Sequence, residues 1–119
     1  MEFVEAPAFT RHVGEYLDDG ELLALQLFLT EQPEAGNVMA GTGGFRKLRW
    51  SDRTRGKGKR GGLRIIYYWL SDWQQIWLFT LYGKDEAADL TPTQKAQLRE
   101  AITAELNARR RMSMPRRRR

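Results

Sequence analysis

The sequence predicts an α+β fold, a small antiparallel β-sheet with two N-terminal helices and one C-terminal helix packed on it. Three observations predict this fold. Residues 7–33 have the apolar spacing of helices, residues 45–82 change to short runs rich in β-branched and aromatic side chains, and residues 91–106 return to helical spacing. We therefore expect the element order β-α-α-β-β-β-α, with the helices on one face of the sheet.

The first strand and both N-terminal helices are predicted from local signals. Residues 3–4 suit a short strand, and the apolar residues from 7 to 17 recur as they do along one side of a helix. Asp18 and Glu21 have the spacing of a capping box, so a second helix should begin there and end before Pro33.

Three strands are predicted in the middle of the chain. A loop of small residues ends at Gly44, and strands follow at residues 45–50, 62–70 and 76–82. Residues 71–74 suit the turn of a hairpin between the last two. The run from 76 to 82 is apolar at both odd and even positions, which predicts a strand covered on both sides.

The last helix has three agreeing start signals in residues 91–94: a threonine cap, a proline at the first helical position and a glutamine three residues after the cap. An apolar stripe continues over residues 98–106. We expect one domain over residues 1–108, followed by an arginine-rich tail, residues 109–119. A run of like charges beyond a helix predicts a disordered tail that attracts polyanions.

Charge is distributed unevenly along the chain. Residues 46–64 contain nine basic residues and one acidic residue, whereas residues 1–45 contain one basic residue and eight acidic ones. A local basic patch on a compact domain attracts polyanions, of which nucleic acid is the commonest. The charge pattern therefore predicts a partner, although not yet a reaction.

Composition excludes several classes of function. The chain has no cysteine, which excludes disulfides and thiolate metal sites, and its single histidine, His12, excludes paired-histidine catalysis and a multi-histidine metal site. We expect no metal and no cofactor. No apolar run approaches the length of a membrane span, and the acidic N-terminus lacks a secretory hydrophobic region, so a cytoplasmic protein is predicted.

Three blocks of sequence, in this order, resemble the RelE-type toxins of bacterial toxin–antitoxin modules, within the RelE/ParE superfamily and nearest its HigB-like branch. The blocks are Gly41–Trp50, Gly61–Tyr68, and Leu81–Glu86 followed by Asp89–Thr91. The resemblance covers about residues 1–108, so the arginine-rich tail is not part of it.

The resemblance implies a ribosome-dependent mRNA endonuclease that cleaves message at the A site and inhibits translation. Its implied partners are mRNA on the 70S ribosome, 16S rRNA and a small helix-turn-helix antitoxin. Cleavage of this kind uses the ribose 2′-hydroxyl as nucleophile and needs groups that stabilise developing charge and protonate the leaving oxygen. The family uses lysine, arginine and tyrosine for this, which implies a metal-independent reaction.

Five residues are predicted to form the active face. Arg64 lies inside an otherwise apolar strand, where burying a charged group without a partner is energetically costly. Its planar guanidinium group is suited to binding a phosphate through two hydrogen bonds. The alternative is that Arg64 forms an internal salt bridge. Lys47 and Arg49 are two apart on a strand and share a face, where they line an RNA groove or are ordinary solvent-facing charges. The resemblance implies an acid or charge stabiliser at Lys84. Tyr82 is predicted to stack on a base or orient the phosphate, or else to be an amphipathic strand end.

Seven further residues are predicted to contact RNA. Most belong to a basic, glycine-containing loop over residues 51–61, of which Lys59 is the one expected to reach the active site. The alternative for the loop residues is that they are ordinary solvated charges. The alternative for Tyr68 is packing in the core. The predicted RNA-binding residues are Arg46, Arg53, Arg55, Lys57, Lys59, Arg60 and Tyr68.

Two other classes of function fit the same sequence. One is a ParE-like toxin, which shares the fold but inhibits DNA gyrase by binding. The other is a non-catalytic basic domain that binds nucleic acid. Basic residues on the central strands favour the nuclease, since a protein-binding toxin has no need of an arginine directed at a phosphate. The acidic helices within residues 1–45 are a plausible surface for the antitoxin.

Overall fold

The structure is a computed structural model that describes residues 1–52, 59–84 and 89–113. The predicted α+β class is confirmed. A short 3-10 helix, Ser71–Trp73, lies in the predicted hairpin turn. The other elements are β1 (Glu2–Glu5), α1 (Pro7–Val13), α2 (Asp19–Glu31), β2 (Asn37–Val38), β3 (Arg46–Asp52), β4 (Lys59–Leu70), β5 (Gln75–Gly83) and α3 (Pro92–Ser113).

The sheet is mixed, so the prediction of a purely antiparallel sheet is wrong. Its strand order is β1-β5-β4-β3-β2, and β1 runs parallel to β5 while the other pairs are antiparallel. The chain leaves β1 through two helices and returns to the opposite edge, which places β1 beside the last strand. There it covers the edge of an apolar strand that would otherwise be open to solvent. The additional strand β2 has two residues, too few for a periodic pattern.

The helices lie on both faces of the sheet, so the prediction that they share one face is also wrong. On one face, α1 and α2 pack through Phe9, Leu25 and Leu29 on a cluster that includes Ile65. The opposite face is covered by α3, whose apolar residues pack in a second cluster. The physical reason is that β4 and β5 are apolar at both odd and even positions, as predicted for β5, and each of their faces needs a cover.

Both predicted helix starts are confirmed at the level of individual hydrogen bonds. The carboxylate of Asp18 accepts from the backbone N–H of Glu21 at 2.8 Å, and the Glu21 side chain accepts from the Asp18 N–H at 2.9 Å. Thr91 and Gln94 form the equivalent pair at the start of α3, at 3.1 and 2.8 Å. These caps depend on residues three apart, which is why the sequence alone predicts them.

Helix α3 does not end at residue 108 but continues to Ser113, so the first part of the predicted tail is helical. Arg109 explains this extension. Its guanidinium donates to the side chains of Glu105 and Gln75 and lies 5.1 Å from the ring centroid of Trp73. Residues 109–113 are therefore helical, whereas disorder was predicted for them, and the domain boundary at residue 108 stays a prediction. The rest of the arginine-rich tail lies outside the described residues.

Tyr67 and Arg46 lie opposite each other on β4 and β3 and brace the loop between α2 and β2. The buried hydroxyl of Tyr67 donates to the Pro33 carbonyl at 2.7 Å and accepts from the Gly36 N–H at 2.9 Å. The Arg46 guanidinium donates to the carbonyls of Glu34 and Gly36 at 3.1 and 2.8 Å. This network satisfies backbone groups that no strand or helix would satisfy.

We expect Tyr67→Phe to lower the free energy of unfolding by about 1–3 kcal/mol, the usual cost of leaving buried polar groups without a partner. The substitution removes only the hydroxyl, so packing of the ring is unchanged while the Pro33 carbonyl and the Gly36 N–H each lose a hydrogen bond. Urea denaturation followed by tryptophan fluorescence measures the change. An unchanged midpoint with an unchanged slope would contradict the prediction.

Candidate nucleic-acid interface

Three predicted site residues form a row across the middle of the sheet. Arg49 on β3 lies directly opposite Arg64 on β4, and Arg64 lies opposite Tyr82 on β5. Lys47 is two residues before Arg49 and therefore projects from the same face, the one that α3 covers further along. The sheet register thus brings together Lys47, Arg49, Arg64 and Tyr82, which come from three separate parts of the sequence.

Lys47, Arg49 and Arg64 line a pocket of about 390 Å³. Its other lining residues are Ala35, Asn37 and Leu48. Arg49 is exposed, whereas Lys47 and Arg64 are half-buried. Lysine and arginine side chains at a concave, solvent-accessible surface are suited to a phosphate group.

Arg49 and Arg64 occupy directly opposed positions of neighbouring strands, and both line this pocket. Like charges at directly opposed positions of neighbouring strands repel, and an anion between them would remove that repulsion. Arg64 also donates a hydrogen bond from Nη1 to the Leu63 carbonyl at 3.3 Å. Arg64 lies on β4, the middle strand of the five, which is hydrogen-bonded to a strand on each side.

Asp89 brings a carboxylate to the border of the pocket, and sequence reasoning gave it no role. Its Oδ1 lies 3.4 Å from Lys47 Nζ, and its Oδ2 lies 3.3 Å from Nζ of Lys95 on α3. Oδ1 also accepts from the backbone N–H of Leu90 at 2.7 Å. That backbone hydrogen bond, followed by the two lysines, lowers the pKa of Asp89 below its usual value.

Asp89 could not be assigned from sequence because its contacts join β3 to α3 across 42 positions of the chain. The only signal was its place two residues before the cap of α3, within one of the blocks that carry the resemblance. Nothing in that position indicates which lysines it meets.

The hydroxyl of Tyr82 is shielded from solvent and has no hydrogen-bond partner among the described residues. Burial, and then the negative charge of Asp89, raise the pKa of Tyr82, while Arg64 acts in the opposite direction. The phenol therefore stays protonated at neutral pH and can donate a hydrogen bond. Its ring packs against the apolar cluster under α3, which does not fit the predicted stacking on a base.

Three other predicted residues are not part of the pocket lining. Lys84 is exposed one residue after β5, where its backbone N–H donates to the Gly62 carbonyl at 3.0 Å. Arg46 lies on the opposite face of the sheet in the network with Tyr67, an arrangement that indicates a structural role. The Tyr68 ring packs edge-on against Phe45, with centroids 5.2 Å apart, which is the core-packing alternative.

The predicted basic loop over residues 51–61 is shorter than expected. Ser51 and Asp52 belong to β3, and Lys59 and Arg60 belong to β4, with Asp52 and Lys59 paired in the ladder. A register shift between Trp50 and Asp52 accompanies this extension of the ladder. The remaining predicted RNA-binding residues, Arg53, Arg55 and Lys57, lie outside the described residues.

No protein-family model matches the chain. The resemblance to RelE-type toxins therefore stays a prediction that depends on the three sequence blocks. Over residues 1–52, 59–84 and 89–113, no helix is long and apolar enough to cross a membrane. The same residues contain no group of three or more histidine, aspartate or glutamate side chains that could hold a metal ion.

Proposed function

We propose that this protein is a RelE-type toxin, a ribosome-dependent endoribonuclease of the cytoplasm that cleaves mRNA in the A site and so inhibits translation. The observation that supports the proposal most directly is the row of Arg49, Arg64 and Tyr82 across three strands, in which the two arginines, together with Lys47, line one pocket. Its proposed partners are mRNA on the 70S ribosome, 16S rRNA and a helix-turn-helix antitoxin.

The proposed reaction is an attack of a ribose 2′-oxygen on the adjacent phosphorus. A bond forms between phosphorus and the 2′-oxygen, the bond to the 5′-oxygen breaks, and the products are a 2′,3′-cyclic phosphate and a 5′-hydroxyl end. The 2′-hydroxyl loses its proton and the leaving 5′-oxygen gains one. Negative charge grows on the phosphate oxygens during the attack, so fixed positive charges lower the barrier.

The geometry suggests a division of roles within this site. Arg64, on the central strand, binds the scissile phosphate through its planar fork, and Arg49 opposite it binds a second oxygen of the same phosphate. Lys47 stabilises the developing charge from the next position along β3. In this proposal the protonated hydroxyl of Tyr82 orients the phosphate or donates to the leaving oxygen, which requires the shielded hydroxyl to become accessible when RNA binds.

Lys84 keeps the role that the resemblance implies, acid or charge stabiliser, as part of the proposal. It is exposed just beyond Tyr82 on the chain, at the end of the same strand. An exposed lysine on a flexible four-carbon stem can reach a substrate that extends past the pocket.

The shape of the site supports the proposed dependence on the ribosome. A shallow, open pocket binds a phosphate but does not by itself hold a flexible RNA with its 2′-oxygen in line with the leaving group. A message bound in the A site has fewer accessible backbone conformations than free RNA. Holding the reacting groups in the correct geometry contributes much of the rate enhancement in enzymatic reactions. Cations outside the pocket would then contact ribosomal RNA as simple charges.

The proposal is tested by cell-free translation of a defined message with the purified protein, followed by mapping of new 5′ ends. We expect ends inside A-site codons when ribosomes are present, carrying a 5′-hydroxyl, and none on the same message without ribosomes.

Each other outcome of this experiment identifies a different function. Ends on free RNA would identify an ordinary ribonuclease. Loss of DNA gyrase supercoiling activity with no new RNA ends would identify a ParE-like toxin. RNA binding without cleavage or gyrase inhibition would identify a non-catalytic nucleic-acid-binding domain.

A further inference from the structure

Asp89 joins β3, which carries Lys47 of the pocket lining, to α3. One carboxylate oxygen faces Lys47 of β3 and the other faces Lys95 of α3, at 3.4 and 3.3 Å. The bond from the Leu90 N–H, at 2.7 Å, fixes the orientation of the carboxylate. Both lysine side chains are less than one third exposed, whereas the Asp89 side chain is 44% exposed, so the bridge lies at the surface with its lysines partly covered.

Lys47 needs such a partner if it is to hold one position. Its side chain is long and flexible, and it lies on the same face as Arg49, two residues away, and Arg64. Repulsion from two guanidinium groups favours conformations in which the ammonium group points away from the pocket. The Asp89 carboxylate opposes that repulsion and restricts the rotamers of the lysine.

We propose that Asp89 is a positioning residue, which holds the Lys47 ammonium group at the border of the arginine pair and couples it to the start of α3 through Lys95. Its effect on catalysis rests on the proposed function, whereas the bridge itself does not. Asp89 does not touch RNA in this proposal and acts through Lys47.

A positioning role and a purely structural role predict different results. Asp89→Asn removes a negative charge from a cationic face, so affinity for RNA should stay the same or increase. Cleavage should nevertheless become slower, because the ammonium group is no longer held in place. If Asp89 only attaches α3 to the sheet, stability, affinity and cleavage should all decline together.

The first experiment measures steady-state cleavage on programmed ribosomes for the wild type and Asp89→Asn. We expect kcat to fall about 10- to 100-fold and KM to stay unchanged or decrease, since a small misplacement of a positioned group can cost up to about 100-fold. Asp72→Asn is the matched control, since it makes the same charge change on an exposed residue at the other end of the β4–β5 hairpin. This control should match the wild type.

The second experiment asks whether Asp89 acts through Lys47. In a Lys47→Ala background, adding Asp89→Asn should produce no further loss of kcat, because the group that it positions is already absent. Independent, additive effects of the two substitutions would overturn the proposal. An unchanged kcat for Asp89→Asn alone would overturn it as well.

A third measurement decides the bridge without any cleavage assay. Acetylation of lysines by an amine-reactive ester, followed by mass spectrometry, should be about threefold faster at Lys47 in Asp89→Asn than in the wild type, because a partly buried ion pair shields the amine. The rate at Lys84, which is exposed, should not change. Equal rates at Lys47 would show that the bridge is absent in solution, whereas a wild type that cleaves nothing would contradict only the proposed function.

Discussion

Replacing Arg64 with lysine should reduce cleavage of ribosome-bound mRNA by about 100- to 1,000-fold, the usual cost of removing one preorganised donor to a developing oxyanion. The substitution keeps the positive charge but removes the planar guanidinium group and its five N–H donors. The lysine ammonium group that takes its place cannot bind two phosphate oxygens in the same bidentate geometry. In the proposed site Arg49, opposite Arg64, already binds another oxygen of the same phosphate, so it does not replace the lost contacts.

Binding of RNA should be almost unaffected by the same change. Affinity for a polyanion depends mainly on the number of phosphates neutralised, so the slope of log affinity against log salt should stay constant. Arg11→Lys, on the exposed surface of α1, is the matched control and should keep both cleavage and affinity. If Arg64→Lys cleaves at the wild-type rate, Arg64 acts only as a charge, and the basic face is a binding surface.

Replacing Tyr82 with phenylalanine should reduce cleavage by about 100-fold, at the low end of what general acid catalysis contributes, without destabilising the fold. The hydroxyl is shielded and lacks a hydrogen-bond partner among the described residues. Removing a buried polar group that has no partner relieves its desolvation cost, so the free energy of unfolding should stay equal or rise by about 1 kcal/mol.

Tyr67 provides the matched comparison, since it is a tyrosine whose hydroxyl makes two hydrogen bonds. The same Tyr→Phe change should therefore lower stability at residue 67 and leave it unchanged or higher at residue 82. Urea denaturation of both variants, next to single-turnover cleavage, measures both effects. A loss of stability in Tyr82→Phe equal to that in Tyr67→Phe would mean that the Tyr82 hydroxyl is bonded in solution.

The parts of the fold that the sequence predicts are those determined by neighbouring residues. Capping at Asp18 and Thr91 depends on side chains three positions away, and the hairpin at residues 71–74 depends on a short turn between two apolar runs. The shared face of Lys47 and Arg49 follows from the alternation of a strand. All of these were predicted, and the structure has each of them.

The parts that sequence reasoning missed depend on contacts between distant residues. Local pattern does not show that β1 runs parallel to β5, or that α3 covers the face opposite α2. Asp89 and Lys95 are ordinary charged residues in sequence, and only the docking of α3 brings them to β3. For the same reason Arg46 was assigned to RNA binding, although its guanidinium is engaged by carbonyls of the α2–β2 loop.

Alternate side chains of β4 serve different purposes. Leu63 and Ile65 are fully buried against the layer of α1 and α2, while Arg64 between them opens onto the pocket. Substitution at Leu63 and Ile65 should therefore be limited by retention of the fold, and substitution at Arg64 by the proposed contact with RNA. A single-residue insertion or deletion here would exchange the two sets, placing a leucine at the pocket and forcing a guanidinium into hydrocarbon. Length changes in this segment should accordingly be eliminated by selection more completely than most point substitutions.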